Sequence, residues 1–217
     1  MKVPHSLVAD LSAANHYKID HLKESDNDAA MKQADFYYIS GFFLTVCPAA
    51  IQHVAEHANS TGKLFSMNLS APFLCEFFKE PQLNALEYCD IIFGNETEAR
   101  EFAKQNGLNS DNVEEIALKL AAWPKKGDKR TRLACITQGT DDVICAQNGR
   151  VRKYPVAPLS KEQIVDTNGA GDAFVGGYLS QLIQGKPEAD CVKCGLHAAR
   201  EIIQRSGCSL PDKCDYH

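Results

Sequence analysis

Residue types and spacing imply chemistry most directly in the segment Asp166-Thr167-Asn168-Gly169-Ala170-Gly171-Asp172-Ala173-Phe174. Two glycines and small residues come immediately before an amphipathic run containing Phe174, Tyr178, Leu179, Leu182 and Ile183, which predicts a glycine loop opening a helix. A helix start leaves backbone N–H groups unpaired and carries partial positive charge, and glycine lets a ligand approach the backbone closely. Such a site suits a phosphate oxygen, and it would stabilise negative charge developing during phosphoryl transfer. Asp172 sits at its mouth, where a carboxylate can accept the proton of an attacking hydroxyl. A helix-capping Asp after an ordinary glycine loop is the plain alternative.

Two more segments belong with it. Gly94-Asn95-Glu96-Thr97-Glu98 follows an apolar strand ending at Phe93, so Asn95 and Glu98 stand one helical turn apart at the C-terminal edge of a sheet, where α/β folds bind ligands. By residue type alone these two read as a cap and a solvated first-turn acid. Thr137-Gln138-Gly139 follows the strand Leu133 to Ile136, and a plain turn accounts for it.

The elements that must position these residues alternate between short β-forming runs and longer segments of helical period, the pattern of an α/β fold with a mainly parallel sheet. Strands are expected near Ser6 to Asp10, Phe36 to Ser40, Lys63 to Asn68, Asp90 to Phe93, Leu133 to Thr137, Asp142 to Ala146 and Val151 to Tyr154. Helices are expected near Pro48 to Asn59, Glu96 to Asn106, Val113 to Ala122, Gly171 to Gln184 and Pro187 to Ser206. Pro48 suits a first helical turn, and Gly62 and Gly107 suit helix C-terminal ends. From Leu133 to Tyr154 strand follows strand, and Asn148-Gly149 predicts a hairpin that gives the sheet an antiparallel edge. No repeat, low-complexity tract or linker divides residues 1–217, which read as one domain.

At 217 residues, with 44% hydrophobic and 24% charged, the chain has an ordinary globular composition and a net charge of −5. Its basic cluster, Lys125, Lys126, Lys129, Arg130 and Arg132, lacks interleaved aromatics and reads as a solvated loop rather than a nucleic-acid footprint. No apolar run approaches the ~20 residues needed to span a bilayer, and Met1 to His5 lack a signal-peptide pattern. The nine scattered cysteines fit reduced thiols of a cytoplasmic or nuclear setting, many of them buried. Cys191 and Cys194 form a C-x-x-C without the second ligand pair that a zinc site needs.

The string Asp166 to Phe174 resembles the C-terminal signature of the ribokinase-like carbohydrate and nucleoside kinases. That resemblance implies a three-layer α/β/α fold. It also implies Asp172 as general base and the amides of Gly169, Ala170 and Gly171 as the anion hole. The family's Asn-x-x-Glu motif matches Asn95 and Glu98, implying a part, through water, in placing Mg2+ and the ATP phosphates. Thr137, Gly139 and Asn168 fall on the nucleotide side by the same likeness. Within the family, Ser40 to Thr45, Asn68 to Phe73, Phe93 to Ala99, Phe174 to Leu179 and Ser206-Gly207-Cys208 resemble the adenosine kinases. This implies phosphorylation of the adenosine 5′-hydroxyl by Mg-ATP, with Phe73 near the purine, in a monomer acting on neither nucleic acid nor membrane. An aromatic face suits a purine; a core phenylalanine is the alternative.

The chain departs from the family pattern in three places. His5 stands where relatives usually carry Arg; Lys161 stands where they place a nucleoside-contacting Gln, with Gln163 offset by two; and Met1 begins where relatives are well into the fold. The small β lid and the ribose-gripping acid of relatives are therefore expected to be absent. A related sugar or nucleoside kinase, and a nucleotide-binding module without turnover, remain open as alternatives.

Overall fold

Strands buried on both faces read as continuous apolar runs, and Ile91-Ile92-Phe93 is the clearest here. The computed structural model describes residues 11–127, 129–210 and 216. Along them run α1 (Ile19–Leu22), α2 (Ser25–Gln33), β1 (Phe36–Ile39), α3 (Pro48–Thr61), β2 (Leu64–Asn68), α4 (Pro72–Phe77), α5 (Lys79–Leu86), β3 (Ile91–Asn95), α6 (Glu96–Gln105), α7 (Val113–Ala121), β4 (Leu133–Gln138), β5 (Asp141–Gln147), β6 (Arg150–Tyr154), α8 (Ala170–Leu182) and α9 (Glu188–Ile203). The strands form one sheet in the order β1-β2-β3-β4-β5-β6. β1 to β4 pair in parallel, whereas β5 and β6 add an antiparallel edge. Asn148 and Gly149, both at positive φ, make the hairpin turn between β5 and β6.

Side-chain alternation divides the interior into two apolar layers, one on each face of the sheet. Tyr37, Phe65, Met67, Ile92, Ile136 and Ile144 point to one side and join the buried faces of α3 to α7. Leu64, Ile91, Phe93, Leu133, Cys135 and Val143 point to the other and pack under α8 and α9. The fold is thus the mainly parallel α/β sheet that the sequence pattern predicts, layered as the α/β/α sandwich that the family resemblance implies.

The expected strands from residue 36 onward and all five expected helices are present, with ends displaced by a few residues. The strand expected over Ser6 to Asp10, and His5 with it, lie outside the described residues. Four helices went unanticipated. α1 spans only four residues, α2 is so polar that Met31 alone is buried, and Phe78 divides α4 from a short α5 that carries Pro81 in its first turn. None presents enough turns for a 3.6-residue period to show.

The basic stretch departs from the solvated reading at two positions. Lys125 is largely buried and pairs with Asp90 at 3.1 Å. Arg132 is 1% exposed, and its guanidinium donates to five carbonyls: Cys89, Leu120, Trp123, Leu86 and Pro124. The ends of α5 and α7 leave carbonyls without helical partners, and the five-donor fork of Arg fits several at once. Arg132→Met should strand these acceptors and destabilise the chain by roughly 3–5 kcal/mol, read as a lower urea midpoint. A midpoint within error of the parent would contradict this role.

Candidate functional site

Because β1 to β4 run in parallel, the segments that follow them emerge on one edge of the sheet. Following β3, Asn95 and Glu98 close a reciprocal cap. Asn95 Oδ1 accepts from the N–H groups of Thr97 and Glu98, both at 2.9 Å, while Glu98 Oε2 accepts from Asn95 N–H at 3.0 Å. A second bond runs from Asn95 Nδ2 to Glu98 Oε1 at 2.7 Å. The capping alternative therefore holds for Asn95. The solvated alternative fails for Glu98, which is 6% exposed. Burial pushes its carboxyl up to about 7 against the Asn95 amide, with the charges of Glu96 and Asp172 adding to the rise.

Asp172 stands in the first turn of α8, behind Gly169, which caps the helix at φ 76. Its outer side is open to solvent, yet the surrounding protein raises its carboxyl above the usual range by desolvation. The charge of Asp172 contributes to the rise at Glu98, so the two carboxyls lie within electrostatic reach. Both charges also act on Tyr38 of β1, whose hydroxyl burial and these two carboxylates hold in the protonated form.

The glycine turn is clasped from behind. Asp166 accepts from Asn168 N–H with one carboxylate oxygen, at 2.9 Å, and from Gly207 N–H with the other, at 3.3 Å. Val165 and Asp166 donate to Ile203 O at 2.9 and 3.1 Å, tying the approach to the end of α9. Cys208 Sγ lies against Gly169 so closely that an added Cβ would stand 2.6 Å from it. The Ser206-Gly207-Cys208 stretch singled out in the sequence thus supports the loop from beneath.

Thr137 at the end of β4 donates to Gly94 O at 3.3 Å, and Gly139 follows in the exposed turn to β5. On the β2 side, Phe73 is 39% exposed rather than a core residue, and it meets Phe42 edge to face at 5.8 Å. Below the pair, Asn68 Oδ1 accepts from Gly41 N–H at 2.8 Å and from the Ser70 hydroxyl. Residue reasoning missed Tyr38, Phe42, Asn68 and the clasping role of Asp166. Phe42 and Asn68 lay inside stretches already singled out, and exposure of two neighbouring aromatics was the signal not visible without coordinates. Lys161 is exposed in a short turn, where Gln163 is engaged with Ser160 N–H at 3.0 Å.

The site is an open shelf. A surface cavity of about 340 Å³ lies elsewhere, at the start of β4 beside Lys125, Arg130 and Arg132, where every Arg132 N–H is already engaged. Chemically, the shelf offers a helix-start anion site, a solvent-reachable carboxylate and a buried proton-holding one within electrostatic reach of each other.

The family profile described as pfkB family carbohydrate kinase matches residues 2–214. Adenosine kinase 1 of Arabidopsis thaliana is 57% identical over 212 residues, covering 98% of this chain and 62% of its own length. The adenosine kinase of Schizosaccharomyces pombe is 43% identical over 206 residues, covering 95% and 61%. Among solved structures, adenosine kinase of Anopheles gambiae in complex with P1,P4-di(adenosine-5) tetraphosphate superposes with a TM-score of 0.87 at 49% identity, over 90% of this chain and 58% of that one. Adenosine kinase from Schistosoma mansoni in complex with adenosine and AMP superposes with a TM-score of 0.87 at 35% identity, over 94% and 60%. The chain spans about three fifths of the length of these relatives.

Two outcomes follow from the geometry. Gly169→Ala forces a side chain into a left-handed turn and against Cys208, and should cost roughly 1–3 kcal/mol, seen as a lower melting temperature. For Glu98, the fold holds a proton that the unfolded chain releases near 4.5, so this contribution to stability is full below that value and is lost as pH rises through about 7. Compared with Glu98→Gln, the parent should lose on the order of 3 kcal/mol between about pH 4.5 and about pH 8 in urea titrations. Parallel pH profiles for the two proteins would refute this.

Proposed function

The chain belongs to the pfkB family of carbohydrate kinases, and from that premise we propose that it transfers the γ-phosphoryl group of ATP to the 5′-hydroxyl of adenosine. The observation that carries this reading is the meeting, on one sheet edge, of the α8 first turn with Asp172 and the capped Asn95–Glu98 pair. The adenosine kinases among its relatives support the choice of acceptor.

Asp172 takes the proton from the acceptor hydroxyl; desolvation raises its basicity while leaving its outer side reachable by that hydroxyl. Amides of Gly169, Ala170 and Gly171 face the transferring group from a helix start, where N–H groups lack intrahelical partners. Asn168, Thr137 and Gly139 line the nucleotide side. Phe73, with Phe42, offers the purine an aromatic wall.

Among the described residues no group of three or more His, Cys, Asp or Glu is arranged to hold a metal. Mg2+ keeps waters and binds largely through substrate phosphates, and Glu98 would be reached through water. Mg2+ supplies neutralisation of the phosphate charge when bound. We further propose that residues 1–217 act as one domain and as a monomer.

The test incubates residues 1–217 with Mg-ATP and adenosine and measures AMP. Asp172→Asn should lower its rate by about 10²–10⁴-fold while ATP binding persists. ATP binding without AMP from the parent would favour a binding module, and ribose or fructose outcompeting adenosine would displace the acceptor assignment.

A further inference from the structure

β1 and β2 run in parallel with Ile39 beside Met67, so the chain leaves them side by side, through Ser40-Gly41-Phe42 on one and Asn68-Leu69-Ser70 on the other. Side chains lace the two exits together. Asn68 Oδ1 accepts from Gly41 N–H at 2.8 Å and from the Ser70 hydroxyl. A backbone N–H can only donate, so it fixes which end of the Asn68 amide faces it. With the Ser70 hydrogen given to Asn68, the 3.3 Å contact between the two serine hydroxyls runs from Ser40 to Ser70. Ser40 Oγ in turn accepts from Phe42 N–H at 3.4 Å.

The lacing holds both backbones in places an unconstrained chain seldom visits. Gly41 approaches so closely that a Cβ there would run into Asn68 O. Ser70 is held at φ 63, in the left-handed region that serine rarely adopts. Each exit then presents an aromatic: Phe42 comes directly after Gly41, and Phe73 follows Pro72 at the start of α4. The two rings are 40% and 39% exposed and meet edge to face at 5.8 Å. Rings this open to solvent bury little area in each other, so their spacing and angle are inherited from the backbones beneath them.

We propose that Asn68 is a positioning residue for the acceptor, its amide oxygen clamping the β1 and β2 exits so that Phe42 and Phe73 stand as one wall against a purine. The inference rests on the proposed adenosine reading and deepens it. Asn68 touches neither the nucleoside nor the reacting atoms and acts through the two rings. Such a wall holds the base alike in the ground state and the transition state, so loosening it raises KM for adenosine rather than lowering kcat.

Asn68→Leu keeps the bulk of the side chain and removes the acceptor, whereas Asn68→Asp keeps an oxygen in its place. Nuclear Overhauser contacts between the Phe42 and Phe73 ring protons, read in ligand-free residues 1–217, should be present in the parent and in Asn68→Asp and lost in Asn68→Leu. Their absence from the parent, or their survival in Asn68→Leu, overturns the proposal. In the AMP assay, Asn68→Leu should raise KM for adenosine about five- to fiftyfold, with kcat within about threefold and KM for ATP within about twofold of the parent. Asn68→Asp should bring KM for adenosine back to within about threefold of the parent. A matching rise in KM for ATP, or no recovery in Asn68→Asp, marks general damage to the fold and overturns the proposal. Should Asn68→Leu fail to fold, Ser70→Ala deletes one hydroxyl of the clamp without changing what the backbone must adopt. Weakened ring contacts and a KM for adenosine raised about two- to tenfold then support the clamp, and parental values overturn it. A parent that forms no AMP fails the acceptor reading alone, and the ring contacts still decide the clamp.

Discussion

An anion site built from helix-start amides works only while something keeps the turn in its left-handed shape, and here that duty falls on one carboxylate. Asp166 grips Asn168 N–H within the turn and Gly207 N–H from beyond α9. The loop is thereby closed against the far end of the chain, with Cys208 seated under Gly169. Everything proposed for Asp172 and the neighbouring amides depends on this clasp, because moving the amides by even an ångström would disperse the field they focus.

The sheet supplies the second constraint. Parallel pairing sends every β-to-α connection out on the same side, so residues far apart in sequence arrive together without any local signal saying so. A mixed sheet ending in a hairpin then closes the β4 side with β5 and β6, whose edge carries Arg150, Arg152 and Lys153. Charged edge residues of this kind discourage pairing with another chain.

Much of this was legible in the amino-acid order. The parallel sheet, the hairpin at Asn148-Gly149 and the glycine loop before α8 each carry a strong local pattern, and all are present. The polar α2 and the divided α4 and α5 carry none, since their stability comes from packing rather than from their own periodicity. At the site, residue types pointed to the glycine turn before α8 and to the carboxylate in its first turn, and both are present. They could not reveal that Glu98 is buried, that Phe73 is paired with an exposed partner, or that Tyr38 points inward, because each of these depends on what tertiary folding brings beside it.

The guanidinium of Arg132 has a temporal side as well. All five carbonyls it holds, from Leu86, Cys89, Leu120, Trp123 and Pro124, precede it in the chain. During synthesis they leave the ribosome before it does, so the cation is the last part of its own socket to be made. Reversing that order, as a circular permutation opening the chain between α7 and β4 would, puts the cation in the chain ahead of every carbonyl that is to hold it.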